Sequence, residues 1–333
     1  MVHGVSPTDP SDRSDKRSSS NVIPINARPA IFDTPGYVLG AADRVSSALW
    51  RDIIEPVVTQ PQYLALSELF FSGGISQYEL ADSVGIDRVT IGPVIKRFEN
   101  LHLVRRQRNA RDARRSVLNL LPPGVALLEK AAPLVDKMTQ EFMSPLTSTE
   151  QAVVVQSWAM LGQVGQTIEQ RHASRTSGGA EIRPPAHFPW LFLRLARRSY
   201  RRIWREQAGE AITPSQFALM SLVNFNDGID IRTAAERSLV EESTAVRIVM
   251  RSARLRLLRD TRDDQDARRT LIHLTDDGRK AVKAISEKLN DIENAFSARI
   301  PPQAYSEFYR STRLVARLEN ASSGRDSAVG QRA

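Results

Sequence analysis

Residues Ser76–Leu120 read SQYELADSVGIDRVTIGPVIKRFENLHLVRRQRNARDARRSVLNL, and their local chemistry sets the fold class. Ser76–Val84 opens on a capping serine and runs as a short helix. Gly85 can take the left-handed conformation that ends it, and Asp87 can cap a second helix. From Arg88 to Leu101, Ile91, Val94, Ile95, Phe98 and Leu101 recur at the spacing of one buried helix face. Arg88, Val89, Gly92, Pro93 and Lys96 then face outward. A helix, a three-residue turn and a second helix with a polar outer face can enter a DNA major groove. Arg88, Val89, Thr90 and Lys96 are its candidate DNA contacts, Arg88 being the best base reader. Pro93 would cost about 3 kcal/mol deep in a helix but almost nothing in a first turn, so a helix capped at Thr90 is the alternative start.

Val104–Leu120 reads as a β-hairpin with a cationic tip. Six arginines (105, 106, 108, 111, 114, 115) fall within eleven residues against the single Asp112, a local balance of +5. Most charge runs are solvated loops. This one flanks a recognition-type helix, where an arginine-tipped wing can lie along the backbone or enter the minor groove. Arg108, Arg111, Asp112, Arg114 and Arg115 are its candidate DNA contacts.

The same pattern is written twice. Displacing the sequence by 154 residues aligns Gln62–Gly124 with Gln216–Gly278 without a gap, and 18 of the 63 positions are identical; about four would match by ordinary residue usage. The register also pairs Trp50-Arg51 with Trp204-Arg205 and Arg44 with Arg198. Residues 1–34 and 321–333 read as disordered tails, 35–172 and 187–320 as the two units, and 173–186 as a polar, Pro-containing linker. Each unit predicts helices over Tyr37–Glu55 or Trp190–Gln207, Gln62–Phe71 or Gln216–Phe225, and Ser76–Val84 or Asp230–Ser238. Next come the recognition-type helix and wing, then Gly124–Met143 and Ser148–Arg171, or Asp277–Ala298 and Pro302–Glu319. The fold class is mainly α with short β-hairpin wings: tandem winged helix-turn-helix units sharing a helical, dimerisation-type bundle.

The second copy has diverged. Leu239 stands for the turn glycine, Glu241-Glu242 for Asp87-Arg88, and wing residues 258–269 balance four arginines against four aspartates. Its candidate DNA contacts are Ser243, Thr244, Arg247, Arg262, Asp266, Arg268 and Arg269, with Glu242, Val246 and Met250 also outward. A glutamate on that face repels phosphate unless a cytosine amine meets it. The first unit is therefore expected to supply most of the DNA affinity.

At these residues the chain resembles the MarR (multiple antibiotic resistance regulator) family. The similarity lies in Asp112-x-Arg114 with Leu120-Leu121 and Gly124 beyond it, and in Asp266-x-Arg268 with Leu274-Thr275 and Gly278. It includes Thr59-Gln-Pro-Gln62-Tyr63 and Thr213-Pro-Ser-Gln216-Phe217, and the recognition-type stretch Asp87–Glu99. The resemblance implies that Arg114 and Arg268 contact the minor groove while Asp112 and Asp266 orient the wings by ion pairing. It implies that first and last helices build a dimerisation bundle, and that a small, often aromatic, anion releases DNA. Arg44 with Trp50, and Arg198 with Trp204, are candidate effector contacts, since a carboxylate or phenolate suits an aromatic beside an arginine; plain packing of both tryptophans is the stronger alternative. The arginine stripe Arg194, Arg197, Arg198, Arg201, Arg202, Arg205 reads as a solvated helix face. Members of this family are normally half as long and dimerise. Here a 14-residue linker, reaching about 20 Å, would let the halves form an intramolecular pseudo-dimer with recognition helices ~34 Å apart. A dimer of such tandem chains is the alternative assembly.

Composition bounds the rest. The net charge of +8 suits a nucleic-acid partner. With no cysteine and five scattered histidines, disulfides, thiolate metal sites and a cysteine redox sensor are excluded, and neither metal nor cofactor is expected. Secretory and membrane-spanning patterns are lacking, so a cytoplasmic protein without membrane contact is expected. There is no nucleotide-binding, nucleophile-elbow or acid-pair motif, so the chain is not expected to be an enzyme. The expected function is a DNA-binding regulator of transcription, a repressor in the commoner case, acting on double-stranded DNA with a small-molecule effector. A winged-helix replication initiator and a scaffold with degenerate DNA binding are the alternatives.

Overall fold

The computed structural model describes residues 30–55, 57–108, 116–163, 175–266 and 268–318. Twelve α-helices and seven short strands are defined among them. The first set is α1 (Pro35–Ile53), α2 (Gln60–Ser72), α3 (Gln77–Ser83), α4 (Arg88–Asn100), β1 (Val104–Arg108), β2 (Ser116–Leu120), α5 (Pro122–Met143) and α6 (Ser148–Leu161). Between the sets lies a hairpin of β3 (Arg175–Ser177) and β4 (Ala180–Ile182). The second set is α7 (Pro189–Ala208), α8 (Pro214–Phe225), β5 (Ile229–Asp230), α9 (Ile231–Arg237), α10 (Glu242–Arg254), β6 (Leu258–Arg262), β7 (Thr270–Leu274), α11 (Asp276–Ser297) and α12 (Pro302–Val315).

The order of elements repeats, and so do backbone details that sequence identity does not dictate. Three pairs of left-handed residues lie 154 apart: His102 and Arg256, Gln163 and Arg317, Gly85 and Leu239. Ile75 bridges Leu118 just as Ile229 pairs with Ile272. At Gly124 an added Cβ would strike the Leu103 carbonyl, and at Gly278 the Leu257 carbonyl. Both glycines let the helix after the wing start against the strand entry.

Four helices from the two sets pack on one another: α1 on α7 and α12, and α6 on α7 and α12. Two side-chain contacts in this bundle join residues 154 apart. Asp43 pairs with Arg197, and the buried Trp158 Nε1 donates to Thr312 Oγ1 at 3.1 Å. Helix α7 is apolar on nearly every face of its first two turns, with Trp190, Leu191, Phe192, Leu193, Leu195 and Ala196 buried, because α1, α6 and α11 enclose it.

Several expectations need correcting. The first tail ends sooner than residue 34: Ala30–Asp33 forms a 3-10 turn with Ile31 and Phe32 buried. The stretch expected as a linker carries β3–β4, whose Ile182 is fully buried and whose Ser177 donates to Glu129 on α5 at 2.6 Å. Isolated apolar residues within a polar run carry no periodicity that would reveal this. Asp87, not Thr90, caps α4, so Pro93 lies inside the helix and leaves the Val89 carbonyl without its N–H partner. Val89 is 85% exposed, so water can satisfy that carbonyl. Leu101, assigned to the core face, caps the helix C-terminus and is 54% exposed. Residues 1–29, 164–174 and 319–333, which include the expected ends of the two closing helices, lie outside the described residues.

Candidate nucleic-acid interface

The recognition-type helix is built from its cap outward. The Asp87 carboxylate accepts the Thr90 backbone N–H at 2.7 Å and its hydroxyl at 2.9 Å. That backbone hydrogen bond holds the Asp87 carboxyl below its ordinary range. Ile91, Ile95 and Phe98 are buried, which leaves Val89, Thr90, Pro93, Lys96 and Arg97 exposed along the other side. Arg88 begins the helix, and its side chain is outside what the structure describes.

Beside it, Arg105, Arg106, Gln107 and Arg108 stand exposed on β1. Arg106 is committed to structure: Nε donates to Glu99 at 2.9 Å, Nη2 to Gln77 at 3.2 Å and Nη1 to Ser116 at 3.3 Å. One guanidinium thus ties the wing to both helices of the helix-turn-helix. Charge counting alone groups Arg106 with the other hairpin cations, although its i+7 relation to Glu99 is visible in the sequence. Arg108 stands at the wing end of β1. Arg111, Asp112, Arg114 and Arg115 lie outside the described residues.

The second helix-turn-helix has the same frame with different chemistry. Glu242, Ser243, Val246, Arg247 and Met250 are exposed on α10, as the periodicity predicts. Thr244 is half-buried, accepts from Arg247 at 2.8 Å, and faces a cavity rather than the outer surface. The wing is closed by its own aspartates. Asp266 accepts the Arg268 backbone N–H at 3.0 Å in a local turn, and its charge also acts on Arg269. The ion pairs belong to Arg269, with Asp230 at 3.0 Å and Asp263 at 3.4 Å. Although burial works upward on Asp230, Thr233 and Arg269 bring its carboxyl down to about 2. Arg269 is therefore a staple of the wing, while Arg262 and Arg268 stand exposed on it.

The four expected effector residues do not form two matched pairs. Trp50 and Trp204 are buried, and each indole N–H donates to a backbone carbonyl eight residues on, Val58 at 2.9 Å and Ile212 at 2.8 Å. Both tryptophans fasten the connection to the next helix, and neither lines the cavity. Arg198 is exposed and lies 4.0 Å from Asp82. Arg44 does line the cavity, a space of about 260 Å³ between α1, α7, α8 and the α9–α10 turn. The arginine stripe of α7 is not uniformly solvated: Arg194 reaches Gln60 on α2, Arg197 pairs with Asp43 on α1, and Arg201, though exposed, lines the cavity. Around the cavity Arg197 is paired with Asp43. Arg44 and Arg201 make no hydrogen bond or ion pair with any described residue. Burial pulls both guanidiniums below their ordinary pKa. The turn residues Leu239, Val240 and Glu241 form the opposite wall.

The MarR family model matches residues 58–116, from just before α2 to the first residue of β2. The transcriptional regulator HosA of Escherichia coli O157:H7 is 33% identical over 110 residues, a stretch covering 33% of this chain and 81% of HosA. The transcriptional repressor NicR of Pseudomonas putida is 24% identical over 142 residues, 42% of this chain and 90% of NicR. Among solved structures, the PcaV transcriptional regulator of Streptomyces coelicolor, in complex with its natural ligand, is 28% identical, covers 41% of this chain and 94% of PcaV, and has a TM-score of 0.37. On the capped recognition helix, the wing beside it and the match to HosA, the chain belongs to the MarR family of DNA-binding transcription regulators.

Proposed function

We propose that the chain is a sequence-specific regulator, a repressor released by a small aromatic anion, in which two MarR-type units are fused into one pseudo-dimer. The pairing of residues 154 apart, Asp43 with Arg197 and Trp158 with Thr312, carries this reading. In an isologous interface a patch meets its own copy, so equivalent residues touch near the two-fold axis. A fused pair with a local two-fold axis produces that contact within one chain. The repeated turn geometry supports the same reading.

For DNA the expectation is unequal halves. The first unit offers Val89, Thr90, Lys96 and a wing of balance +5, whereas the second offers Glu242 and a wing of balance zero. For the effector, the cavity has room for a single-ring compound, near the lower end of the ~300–1,000 Å³ usual for small-molecule sites. Arg44 and Arg201, without partners among the described residues, suit its carboxylate or phenolate. A ligand there would bear on Leu239–Glu241, the turn into α10.

Fluorescence anisotropy with DNA from upstream of the chain's own gene, across a salt series, tests the reading. Specific binding with a steep salt slope is expected, and Arg114→Ala should weaken it more than Arg268→Ala. Equal losses would reject the asymmetry. Indifference to every duplex at low salt would reject the regulator itself.

A further inference from the structure

Under the 154-residue displacement every cavity wall position has a counterpart among the described residues, and larger side chains stand at several of them. Gly36 and Gly40, on α1, correspond to Trp190 and Arg194 on α7; Ala218 corresponds to Leu64 and Leu239 to Gly85. A Cβ built on Gly40 meets nothing within 4 Å, so this glycine is open floor of the cavity. At the counterpart, Arg194 extends to Gln60 and its Nε is buried without a partner among the described residues. Trp190 is 1% exposed, with Phe188 stacked on it at 5.0 Å and Trp50 edge-on at 5.2 Å. Leu195 closes on Gly85, the turn glycine of the first helix-turn-helix. At Gly36 the ring of Tyr200 takes the space a side chain would need, so the difference lies at Gly40: Arg194 fills at the twin position what Gly40 leaves open.

Building on the reading of that cavity as the effector site, we propose that the chain binds one effector per molecule, in the cavity between α1 and the second helix-turn-helix alone, and that Arg194, with Leu195 beside it, is a built-in plug of the twin site. The plug holds the α3–α4 turn of the first half in one arrangement whether ligand is present or not. Only the α9–α10 turn, with Leu239 in the left-handed conformation (φ 54°) at the cavity wall, is left to respond. Ligand then loosens one of two grips on DNA, and release is partial.

Titration calorimetry of the full chain with 2-hydroxybenzoate, 4-hydroxybenzoate and pyridine-3-carboxylate is the test, with hydrogen exchange on the saturated protein. The expected stoichiometry is one per chain, with new protection over residues 231–254 and none over 77–100. Gly40→Arg, which copies the plug into open space, should abolish binding without lowering Tm; Gly40→Leu serves should the arginine variant fail to fold. Two ligands per chain, equal protection in both helix-turn-helices, or unaltered binding by both Gly40 variants would overturn the single-site proposal while leaving the effector reading intact. Failure of all three probes to bind would overturn both.

Discussion

Glu293, on α11, accepts from the Tyr200 hydroxyl at 2.9 Å through one carboxyl oxygen, while the other is buried without a partner among the described residues. Burial raises this carboxyl from its ordinary 4.5 to about 7, against the pull of the Tyr200 bond. The folded state therefore keeps a proton that the unfolded chain gives up. The corresponding stability is fully present below pH 4.5 and is lost as pH rises through 7. The wild-type Tm should fall by a few degrees between pH 5 and pH 8.5, for a loss of ~2 kcal/mol, and Glu293→Gln should flatten that fall. Parallel melting curves for the two proteins would refute the buried proton. The tryptophans allow a second test. Each indole holds one backbone carbonyl, so Trp50→Phe and Trp204→Phe should each cost about 1–2 kcal/mol in denaturant titration and leave effector affinity untouched. A changed affinity at constant stability would return them to the ligand site.

Helix α4 depends on its cap. Asp87→Ala leaves the Thr90 N–H unpaired and should fray Arg88–Thr90, at a cost of about 1 kcal/mol. Removing a negative charge near phosphate acts in the opposite direction, so Asp87→Asn, which keeps the cap, is the control. Operator affinity should be lower in the alanine variant than in the asparagine variant; equal affinities would show that the cap does not preorganise the DNA-facing turn. Such elements were legible in the sequence because they obey local rules. Ser76 and Asp87 cap helices from three residues away, and the α10 face keeps 3.6-residue periodicity without exception from Glu242 to Met250. What escaped depends on distant neighbours. Arg194 and Arg197 look like solvated cations until Gln60 on α2 and Asp43 on α1 meet them, and Ile182 looks like linker until α5 covers it. Leu101 failed for a different reason: the helix ends there, and helical spacing no longer says which way the side chain points.

At the scale of the whole chain, the question is what the four-helix bundle leaves for a second molecule. A single unit of this kind would leave the first and last helices of its bundle without the partners they have here. Here α1 and α6 already lie against α7 and α12. The central contacts, Trp158 to Thr312 and Asp43 to Arg197, are made within one polypeptide. Dimerisation through the same helices would mean opening this arrangement and exchanging halves, at the cost of the buried Trp158 and its hydrogen bond before anything is regained. On the proposed reading as a fused pair, the chain satisfies internally the need that drives association, and its two recognition-type helices come as a fixed pair whatever the protein concentration. Light scattering after gel filtration should give the mass of one chain, 37.2 kDa, across the accessible concentration range. Bound to a duplex of about 20 base pairs, the complex should contain one chain per duplex, with protected patches about one helical turn apart. A complex of two chains per duplex, with each chain protecting a single patch, would mean that the second half contributes to the bundle and not to the grip on DNA.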